Sequence, residues 1–283
     1  MPQDAPSKSI METPNWALLA CNNCYEKPLK TFSLVEPSRD YLSSWSFSSE
    51  GLSHDEIISN ILFIFEELLL SLKISSDKFK ILVEYIMENY PLNSYHNIRH
   101  ALEVLQSLHY IFTKSESGPF LKSVLTPLHI FSLYVSALSH DIGHLGMSNN
   151  FLKNSRHPLG LIYNDHSPLE NMHSFIFFSI LNDALFADIF INWKSSDYSL
   201  MRRIVIKCVL ATDMSYHQNY IDEFKRNVPE SITNSSYDEN AQIFLCVALM
   251  KAADICNVSR PFTYALNWAN SLYEEFRKQV LLI

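Results

Sequence analysis

The chain has 283 residues, of which 47% are hydrophobic and 13% aromatic, which is enough apolar side chain for the core of one large domain. Its formal net charge is −8, and no stretch is rich in lysine and arginine. These features exclude a protein that binds nucleic acid through the phosphate backbone, because that affinity comes from clustered basic side chains. A small anionic ligand would therefore need a local positive centre.

The cysteines and the apolar segments indicate a cytoplasmic protein without a membrane span. The five cysteines are odd in number and widely spaced, which is not typical of a secreted disulfide framework. The first residues, MPQDAPSKSI, lack the basic start and apolar run of a secretory signal. The most apolar window, residues 61–72, contains Glu66 and Glu67 and is too short to cross a bilayer. Cys21 and Cys24 have the spacing of half a zinc knuckle, but no second pair follows, so we expect no zinc site there.

The elements begin with residues 1–43, an N-terminal tail or extension rich in proline, serine and asparagine. From residue 44 onward, apolar residues recur every three or four positions, which predicts helices. Ser53 and Ser76 precede the first two helices, and the second helix ends at Pro91. Further helices are predicted at 97–113, 127–142, 168–182, 199–213, 239–257 and 261–279, with weaker patterns at 184–192 and 217–227. Because alternating strand patterns are missing, we predict an all-α, compact multi-helix bundle in one domain, residues 44–283, with polar connections at 114–119, 153–167 and 229–238.

Two pairs of histidines stand four residues apart, each within or directly beside a predicted helix. His96 and His100 form the first pair, and His140 and His144 form the second, with Asp141 directly after His140. Residues at this spacing project from the same face of a helix. A single such pair is commonly found on a surface or in a hydrogen-bonded core, so spacing alone leaves that alternative open.

A third group comes from the segment MKAADICNVSRPF, in which Asp254 lies in an otherwise apolar helix. A buried carboxylate is costly unless a cation pairs with it. Imidazole and carboxylate ligands without a nearby cysteine suit Zn²⁺ and harder cations such as Mg²⁺ or Mn²⁺. Asp141 has two oxygens and is the candidate bridge between two ions, which together would provide the missing positive centre.

Five segments, in order, resemble the catalytic domain of class I 3′,5′-cyclic-nucleotide phosphodiesterases, a branch of the His-Asp (HD) metal hydrolases. They read YHNIRHA, SHDIGHLGMSN, YNDHSPLEN, LATDMSYH and KAADICNVSRPF, and the resemblance extends over residues 44–276. It implies hydrolysis of a small molecule, a cyclic nucleotide, to a nucleoside 5′-monophosphate, which ends a cyclic-nucleotide signal. The motifs YHN and LATDMS favour this reaction over hydrolysis of other phosphate esters within the broader superfamily.

The resemblance also implies roles for individual residues and a pair of divalent metal ions. The ligands of the tight site, usually zinc, would be His100, His140, Asp141 and Asp254, and Asp141 would also reach a second ion, Mg²⁺ or Mn²⁺. His144, Glu170 and Thr212 match positions that hold the metal-bound waters. His96 matches the general acid, and a nearby carboxylate, Glu103 or Glu170, would keep it protonated.

The substrate-binding residues implied by the resemblance are Tyr95, Met214 and Asn257. Asn257 matches an asparagine of cAMP-selective members, whose amide can bond the adenine edge, although an asparagine at a helix end can also act as a cap. Gly143 would avoid crowding ions and waters between the histidines of the second pair, and Gly146 would let the chain turn.

The sequence departs from the family pattern at three places. Met172 stands where the family has a histidine, and Val258 stands where it has a proline. After YEEFRKQV, which resembles the family's Glu-Glu-Phe-Phe stretch, the sequence lacks the later glutamine and phenylalanine that hold the purine, so we expect weakened substrate binding. The alternative is a non-catalytic isoform or pseudoenzyme that binds metal or a partner. The oligomeric state is left open by the sequence.

Overall fold

The computed structural model describes residues 34–232 and 238–280, and these ranges contain α-helices and 3₁₀ turns but no β-strand. The predicted all-α fold is confirmed. Most of the predicted tail, including Cys21 and Cys24, lies outside the described residues. The helices are α1 (Arg39–Leu42), α2 (His54–Ser71), α3 (Ser76–Glu88), α4 (Ile98–Thr113), α5 (Gly118–Val124), α6 (Pro127–Ser139), α7 (Asn149–Asn154), α8 (Pro158–Ile162), α9 (Pro168–Leu181), α10 (Ser195–Leu210), α11 (His217–Ile232), α12 (Glu239–Asp254) and α13 (Phe262–Val280).

Capping side chains fix where the helices near the site begin. Asn97 accepts hydrogen bonds from the backbone N–H groups of Arg99 and His100, which starts α4 at Ile98, two residues after His96. Thr126 caps α6 in the same way and is followed by proline at the first helical position. The cap of α3 is Ser75 rather than the predicted Ser76.

The predicted helices differ from the structure mainly where elements are short. The sequence did not predict α1, α5, α7 and α8, which have seven residues or fewer. A periodic apolar pattern needs about three turns to become visible, so elements of one or two turns escape it. The weak pattern at 184–192 corresponds to one 3₁₀ turn, Ala184–Phe186, whereas the weak pattern at 217–227 is part of α11.

Helix α6 lies at the centre of the bundle and contacts α2, α4, α10 and α12. Every one of its residues from His129 to Ser139 is buried. Aromatic side chains from three helices meet beside it, with ring centroids 4.6 Å apart for Phe65 and Phe79 and 5.7 Å apart for Phe65 and Phe131. The carboxyl end of this buried helix therefore delivers the residues that follow it, His140 and Asp141, into the interior.

Within the described ranges, no single helix is long and apolar enough to cross a membrane. The helices α5 and α6, which are bent by 112° relative to each other, meet the length and composition of a broken span only when they are taken together.

Candidate active site

The site forms where the ends of several helices converge. Residues at the start of α4 face residues that follow α6, and the last residue of α12 completes the group. His100 Nε2 and His140 Nε2 are 3.3 Å apart, and each is 3.1 Å from Asp254 Oδ1. Both imidazoles are almost fully buried. The structure thus brings together three residues that are 40 and 114 positions apart in the sequence.

The tautomer of His140 suits this group to a cation. Its Nδ1 is 2.9 Å from the carbonyl oxygen of Ala137, and since a carbonyl only accepts, Nδ1 carries the hydrogen. Nε2 then presents a lone pair toward His100 and Asp254. In the neutral form of His140, this lone pair and the carboxylate oxygen of Asp254 are suitable ligands for a divalent ion bound between them.

Asp141 lies between the group formed by His100, His140 and Asp254 and a second group that it forms with His96 and His144. Its Oδ2 is 3.1 Å from His140 Nε2 and 3.6 Å from His100 Nε2, and this buried oxygen accepts no hydrogen bond within the described structure. One ligand atom of Asp141 also lies within 4.8 Å of ligand atoms of His96 and His144. The described residues therefore contain two adjacent groups that can each hold a metal ion.

The electrostatics of the buried carboxylates favour positive charge here. Burial raises the pKa of Asp141, but His140 and His96 lower it more, and the net pKa lies well below the ordinary range. The pKa of Asp254 is also low, since His140 and His100 outweigh the effect of burial. The same two carboxylates hold the pKa of His140 well above its ordinary value despite burial. Two ionised carboxylates in a buried site need a cation, and a metal ion can meet that need in place of protons on the imidazoles.

His96 is paired with a glutamate that sequence reasoning did not assign to it. His96 Nδ1 is 2.5 Å from Glu275 Oε1, while Glu275 Oε2 accepts hydrogen bonds from the backbone N–H groups of Tyr95 and His96. Burial lowers the pKa of His96, but Asp141 and Glu275 raise it, and the net effect is a raised pKa. The imidazole of His96 also stacks on that of His144, with centroids 3.8 Å apart.

The prediction that Glu103 or Glu170 lies beside His96 is wrong. Glu103 accepts hydrogen bonds from Ser49 and Trp268 instead. Both carboxylate oxygens of Glu170 accept from Asn149 Nδ2, at 3.1 and 2.9 Å. Glu275 lies in YEEFRKQV, the segment that resembles the family's Glu-Glu-Phe-Phe stretch, and this resemblance could have drawn attention to it. Periodicity alone could not place this residue of α13 beside a histidine 179 positions away.

Asn149 and Asp213 are two polar residues of the site that the sequence analysis did not single out. The Asn149 amide lies between Glu170 and Asp213, whose Oδ2 also accepts from the Ser167 hydroxyl at 2.8 Å. Burial raises the pKa of Glu170 to about 7 even though Asn149 stabilises its ionised form. Next to this cluster, the Thr212 hydroxyl donates to the Val209 carbonyl at 2.8 Å.

Two of the three predicted substrate-binding residues lie together. Asn257 is buried, and its Nδ2 donates to the Tyr95 hydroxyl at 2.6 Å, so its side chain does not cap a helix. The Tyr95 ring packs against those of His96 and His100. Met214, by contrast, is 53% exposed, and its Sδ lies 4.0 Å from Lys251 Nζ.

Of the two glycines after α6, Gly146 has its predicted role in a turn, whereas Gly143 has a role different from the predicted one. Gly143 adopts φ of +74°, and a Cβ atom there would lie 2.5 Å from Ile176 Cδ1, so a core side chain rather than an ion requires the glycine. Gly146 has φ of +69°, which agrees with its predicted turn. Met172, which replaces a family histidine, is fully buried in the core.

Comparison with known proteins agrees with the resemblance read from the motifs. Residues 95–282 match the model of the 3′5′-cyclic nucleotide phosphodiesterase family. The chain is 30% identical over 245 residues to the 3′,5′-cyclic-nucleotide phosphodiesterase regA of Dictyostelium discoideum, covering 86% of this chain and 30% of that protein. It is 33% identical over 258 residues to the human dual specificity calcium/calmodulin-dependent 3′,5′-cyclic nucleotide phosphodiesterase 1C, covering 87% of this chain and 34% of that one.

A solved structure is also similar. The phosphodiesterase domain of the RhoPDE fusion protein from the choanoflagellate Salpingoeca rosetta superposes with a TM-score of 0.77 at 28% identity, covering 85% of this chain and 75% of that one. The chain belongs to the 3′,5′-cyclic nucleotide phosphodiesterase family. It spans about a third of the length of these two curated relatives.

Proposed function

We propose that this protein hydrolyses 3′,5′-cyclic nucleotides, with cAMP preferred, to nucleoside 5′-monophosphates in a metal-dependent reaction. The observation that carries the proposal is the pair of adjacent ligand groups on either side of Asp141, next to an imidazole that is bonded to a carboxylate. The first group supplies nitrogen and oxygen ligands to a buried cation, and the second includes His96, the proton donor that the proposed reaction requires.

The proposed ligands of a tightly bound Zn²⁺ are His100, His140, Asp141 and Asp254, and Asp141 also reaches a second ion, Mg²⁺ or Mn²⁺. Divalent ions held at this position activate water and neutralise charge on the phosphoryl oxygens. His144, Glu170 and Thr212 would orient the waters of the second ion. The buried positions of His144 and Glu170 support this role because they restrict the directions in which the side chains can turn.

His96 is the proposed general acid for the departing 3′ oxygen. Glu275 binds the Nδ1 side of the imidazole, so the proton available to substrate is on Nε2. The raised pKa favours this proton, which a general acid requires. After the transfer, Glu275 stabilises the tautomer that regains a proton from solvent.

The preference for cAMP rests on the Asn257 amide. Its nitrogen is engaged by the Tyr95 hydroxyl, which turns the amide oxygen in the other direction. That oxygen can accept a hydrogen bond from the exocyclic amino group of adenine, whereas guanine carries a carbonyl oxygen at the corresponding position. A relative from Dictyostelium discoideum named as a cGMP-specific phosphodiesterase is 31% identical over 239 residues, so both nucleotides belong in the test.

We place this activity in the cytoplasm and in a single catalytic domain, residues 44–283. The three cysteines in the described part of the chain, Cys208, Cys246 and Cys256, are free, which suits a reducing compartment. The described helices from α2 to α12 contribute side chains to one continuous hydrophobic core, which supports one domain.

A direct assay tests the proposal. Purified protein is incubated with Mg²⁺ or Mn²⁺ and trace Zn²⁺, and conversion of cAMP and cGMP to their 5′-monophosphates is followed by chromatography. We expect turnover of both nucleotides, with a higher kcat/KM for cAMP. Folded, metal-loaded protein that converts neither nucleotide would overturn the proposal, and a higher kcat/KM for cGMP would overturn the preference.

Two substitutions separate the proposed ligands from the proposed acid. Asp254→Ala removes an oxygen shared by two imidazoles, and we expect loss of the tightly bound metal when it is measured by elemental analysis. His96→Ala should keep that metal and slow turnover by about 10²- to 10⁴-fold, the usual contribution of a general acid. Equal metal loss in both variants would contradict this division of roles.

A further inference from the structure

We propose that Glu103 is a positioning residue that fixes the Trp268 indole against the active site and ties it to the segment 44–51, which precedes α2. This inference rests on the proposed function, since its main effect concerns substrate. It assigns a role to a buried carboxylate on α4 and to an aromatic side chain on α13 that the proposed mechanism does not use.

The two carboxylate oxygens of Glu103 bind partners from two different parts of the chain. Oε1 accepts hydrogen bonds from the Ser49 backbone N–H and from the Ser49 hydroxyl, both at 2.8 Å. Oε2 accepts from the Trp268 indole N–H at 2.7 Å. Glu103 is only 3% exposed, so its hydrogen bonds are shielded from water and their loss is costly. One carboxylate thereby joins two residues that are far apart in the sequence.

Trp268 contacts the active site through ring edges. Its ring centroid is 5.4 Å from that of Tyr95 and 5.8 Å from that of His100, both in edge-to-face geometry. Tyr95 in turn holds the Asn257 amide. The orientation of the indole therefore bears on the side of the site where the base is proposed to bind.

The indole has space to turn away if its hydrogen bond is lost. A cavity of about 220 Å³ is bordered by Ser49, Glu103 and Trp268 as well as by Tyr264 and Asn267. Packing alone does not hold a side chain that borders an open cavity, because it lacks contact atoms on that side. The hydrogen bond to Glu103 is thus the interaction that selects the observed orientation.

Glu103→Gln provides a test because the amide has one oxygen where the carboxylate has two. If that oxygen continues to accept from Ser49, the amide N–H₂ faces the indole N–H, and two donors oppose each other. We expect KM for cAMP to rise about tenfold, as for a lost hydrogen bond to a buried charged group, with kcat changed less than about threefold and metal content unchanged. Trp268→Phe, which keeps an aromatic ring but has no N–H, should raise KM similarly, and adding Glu103→Gln to it should change KM little further.

Glu50→Gln is the matched control. Glu50 lies in the same segment and also bonds α13, through Asn267 Nδ2 at 2.9 Å, but it is exposed. We expect wild-type KM for this variant. Ser49→Ala, which removes the hydroxyl and keeps the backbone N–H, should raise KM by a smaller factor than Glu103→Gln. Multiplicative effects of Glu103→Gln and Trp268→Phe, or an unchanged KM in Glu103→Gln, would overturn the proposal.

A readout independent of turnover distinguishes failure of this proposal from failure of the proposed function. In protein labelled with 5-fluorotryptophan, the ¹⁹F resonance of Trp268 is assigned by its absence in Trp268→Phe. We expect this resonance to move in Glu103→Gln and to stay in place in Glu50→Gln. If wild-type protein hydrolyses no cyclic nucleotide, the proposed function is wrong, but the resonance still reports whether Glu103 positions Trp268. If the resonance does not move in Glu103→Gln, the positioning role is wrong.

Discussion

The protonation of His96 depends on side chains that come from different helices. Glu275, from α13, bonds the imidazole directly, and Asp141, from the turn after α6, acts through its charge. Burial opposes both carboxylates because it disfavours the imidazolium. Asp254 also contributes, so the raised pKa is the net result of three attractive charges and one desolvation cost, and removing one charge should change its value.

Glu275→Gln should move the alkaline limb of the pH–rate profile to lower pH. The proposed general acid, His96, must be protonated, so activity should fall as pH rises through its pKa, and a lower pKa should bring this fall to a lower pH. We expect a displacement of about one pH unit in kcat/KM for cAMP at fixed Mg²⁺. Glu274→Gln is the control, since this neighbouring carboxylate is partly exposed and bonds Arg277. An equal displacement in both variants would refute the specific pairing.

The residues of the site differ in how far the sequence could predict them. The pairs His96/His100 and His140/His144 have the spacing of one helix face, but His96 precedes α4 and the second pair follows α6, so neither pair lies on one helix. The short contacts instead run between the pairs, from His100 to His140 and from His96 to His144. Glu275 reaches His96 only through the packing of α13 beside the start of α4, and no local pattern encodes that contact. The histidines of the site could therefore be predicted from the sequence, whereas the glutamate predicted beside His96 was the wrong one.

Among the elements, the turn after α6 carries a strict backbone requirement. The helix ends at Ser139, and Gly143 then takes a left-handed conformation while its N–H donates to the Asn89 carbonyl at 2.9 Å. This turn sets the direction of the chain between His140 and Asp141, which precede Gly143, and His144, which follows it. Any side chain at Gly143 would meet both an unfavourable φ and the buried Ile176.

Gly143→Ala should lower the free energy of unfolding by about 2 to 4 kcal/mol, the sum of backbone strain and overpacking. Adding Ile176→Val, which removes the Cδ1 atom 2.5 Å from the new Cβ, should restore part of this loss. Gly51→Ala is the matched control and should cost about 1 kcal/mol. Gly51 has φ of +77°, but no atom of the described chain lies within 4 Å of the position that a Cβ would take. Urea unfolding of wild-type protein and the three variants measures these losses, and an equal loss in Gly143→Ala and Gly51→Ala would contradict the steric contribution of Ile176.

The long helices could be predicted because each carries several turns of apolar periodicity. The predicted ends were less accurate where a functional turn follows a helix: the patterns at 127–142 and 239–257 continue past Ser139 and Asp254, where α6 and α12 end. After Ser139 the apolar pattern persists into the turn because Ile142 is also buried, and after Asp254 it persists in the sequence through Ile255 and Cys256. Burial alone therefore does not reveal where helical hydrogen bonding stops.

At the scale of the whole molecule, several histidines outside the proposed ligand set are held neutral by the fold. Burial lowers the pKa of His129 to about 4, and Arg203 contributes in the same direction. His109, on α4, also has a pKa lowered to about 4, first by burial and then by Lys122 and Lys114. The unfolded chain binds protons on these groups near about pH 6.5, whereas the native state does not, so acid favours unfolding.

His129→Asn should make the protein less sensitive to mild acid. In the native state His129 is 3% exposed, its Nδ1 pairs with the Thr126 hydroxyl at 2.7 Å, and its buried Nε2 has no hydrogen-bond partner among the described residues. Above about pH 6.5, His129 is neutral in both the native and the unfolded state and does not lower the free energy of unfolding. Below that pH the unfolded state alone gains a proton, so the free energy of unfolding falls by about 1.4 kcal/mol per pH unit toward about pH 4. Between about pH 7 and pH 5, wild-type protein should therefore lose about 2 kcal/mol more unfolding free energy than His129→Asn.

Urea unfolding at each pH in EDTA measures this difference without a contribution from bound metal. His109→Asn provides a second, independent case, and the two effects should add in the double variant because the side chains titrate separately. Parallel pH dependence in wild type and His129→Asn would mean that His129 gains its proton in the native state without cost. A proton on the buried Nε2 of His129 has no partner in the ranges that the structure describes, so it can be accommodated only if a polar group or water enters beside α6. We therefore expect the sensitivity of the protein to acid to depend on the number of buried neutral histidines such as His129 and His109, and not on its net charge of −8.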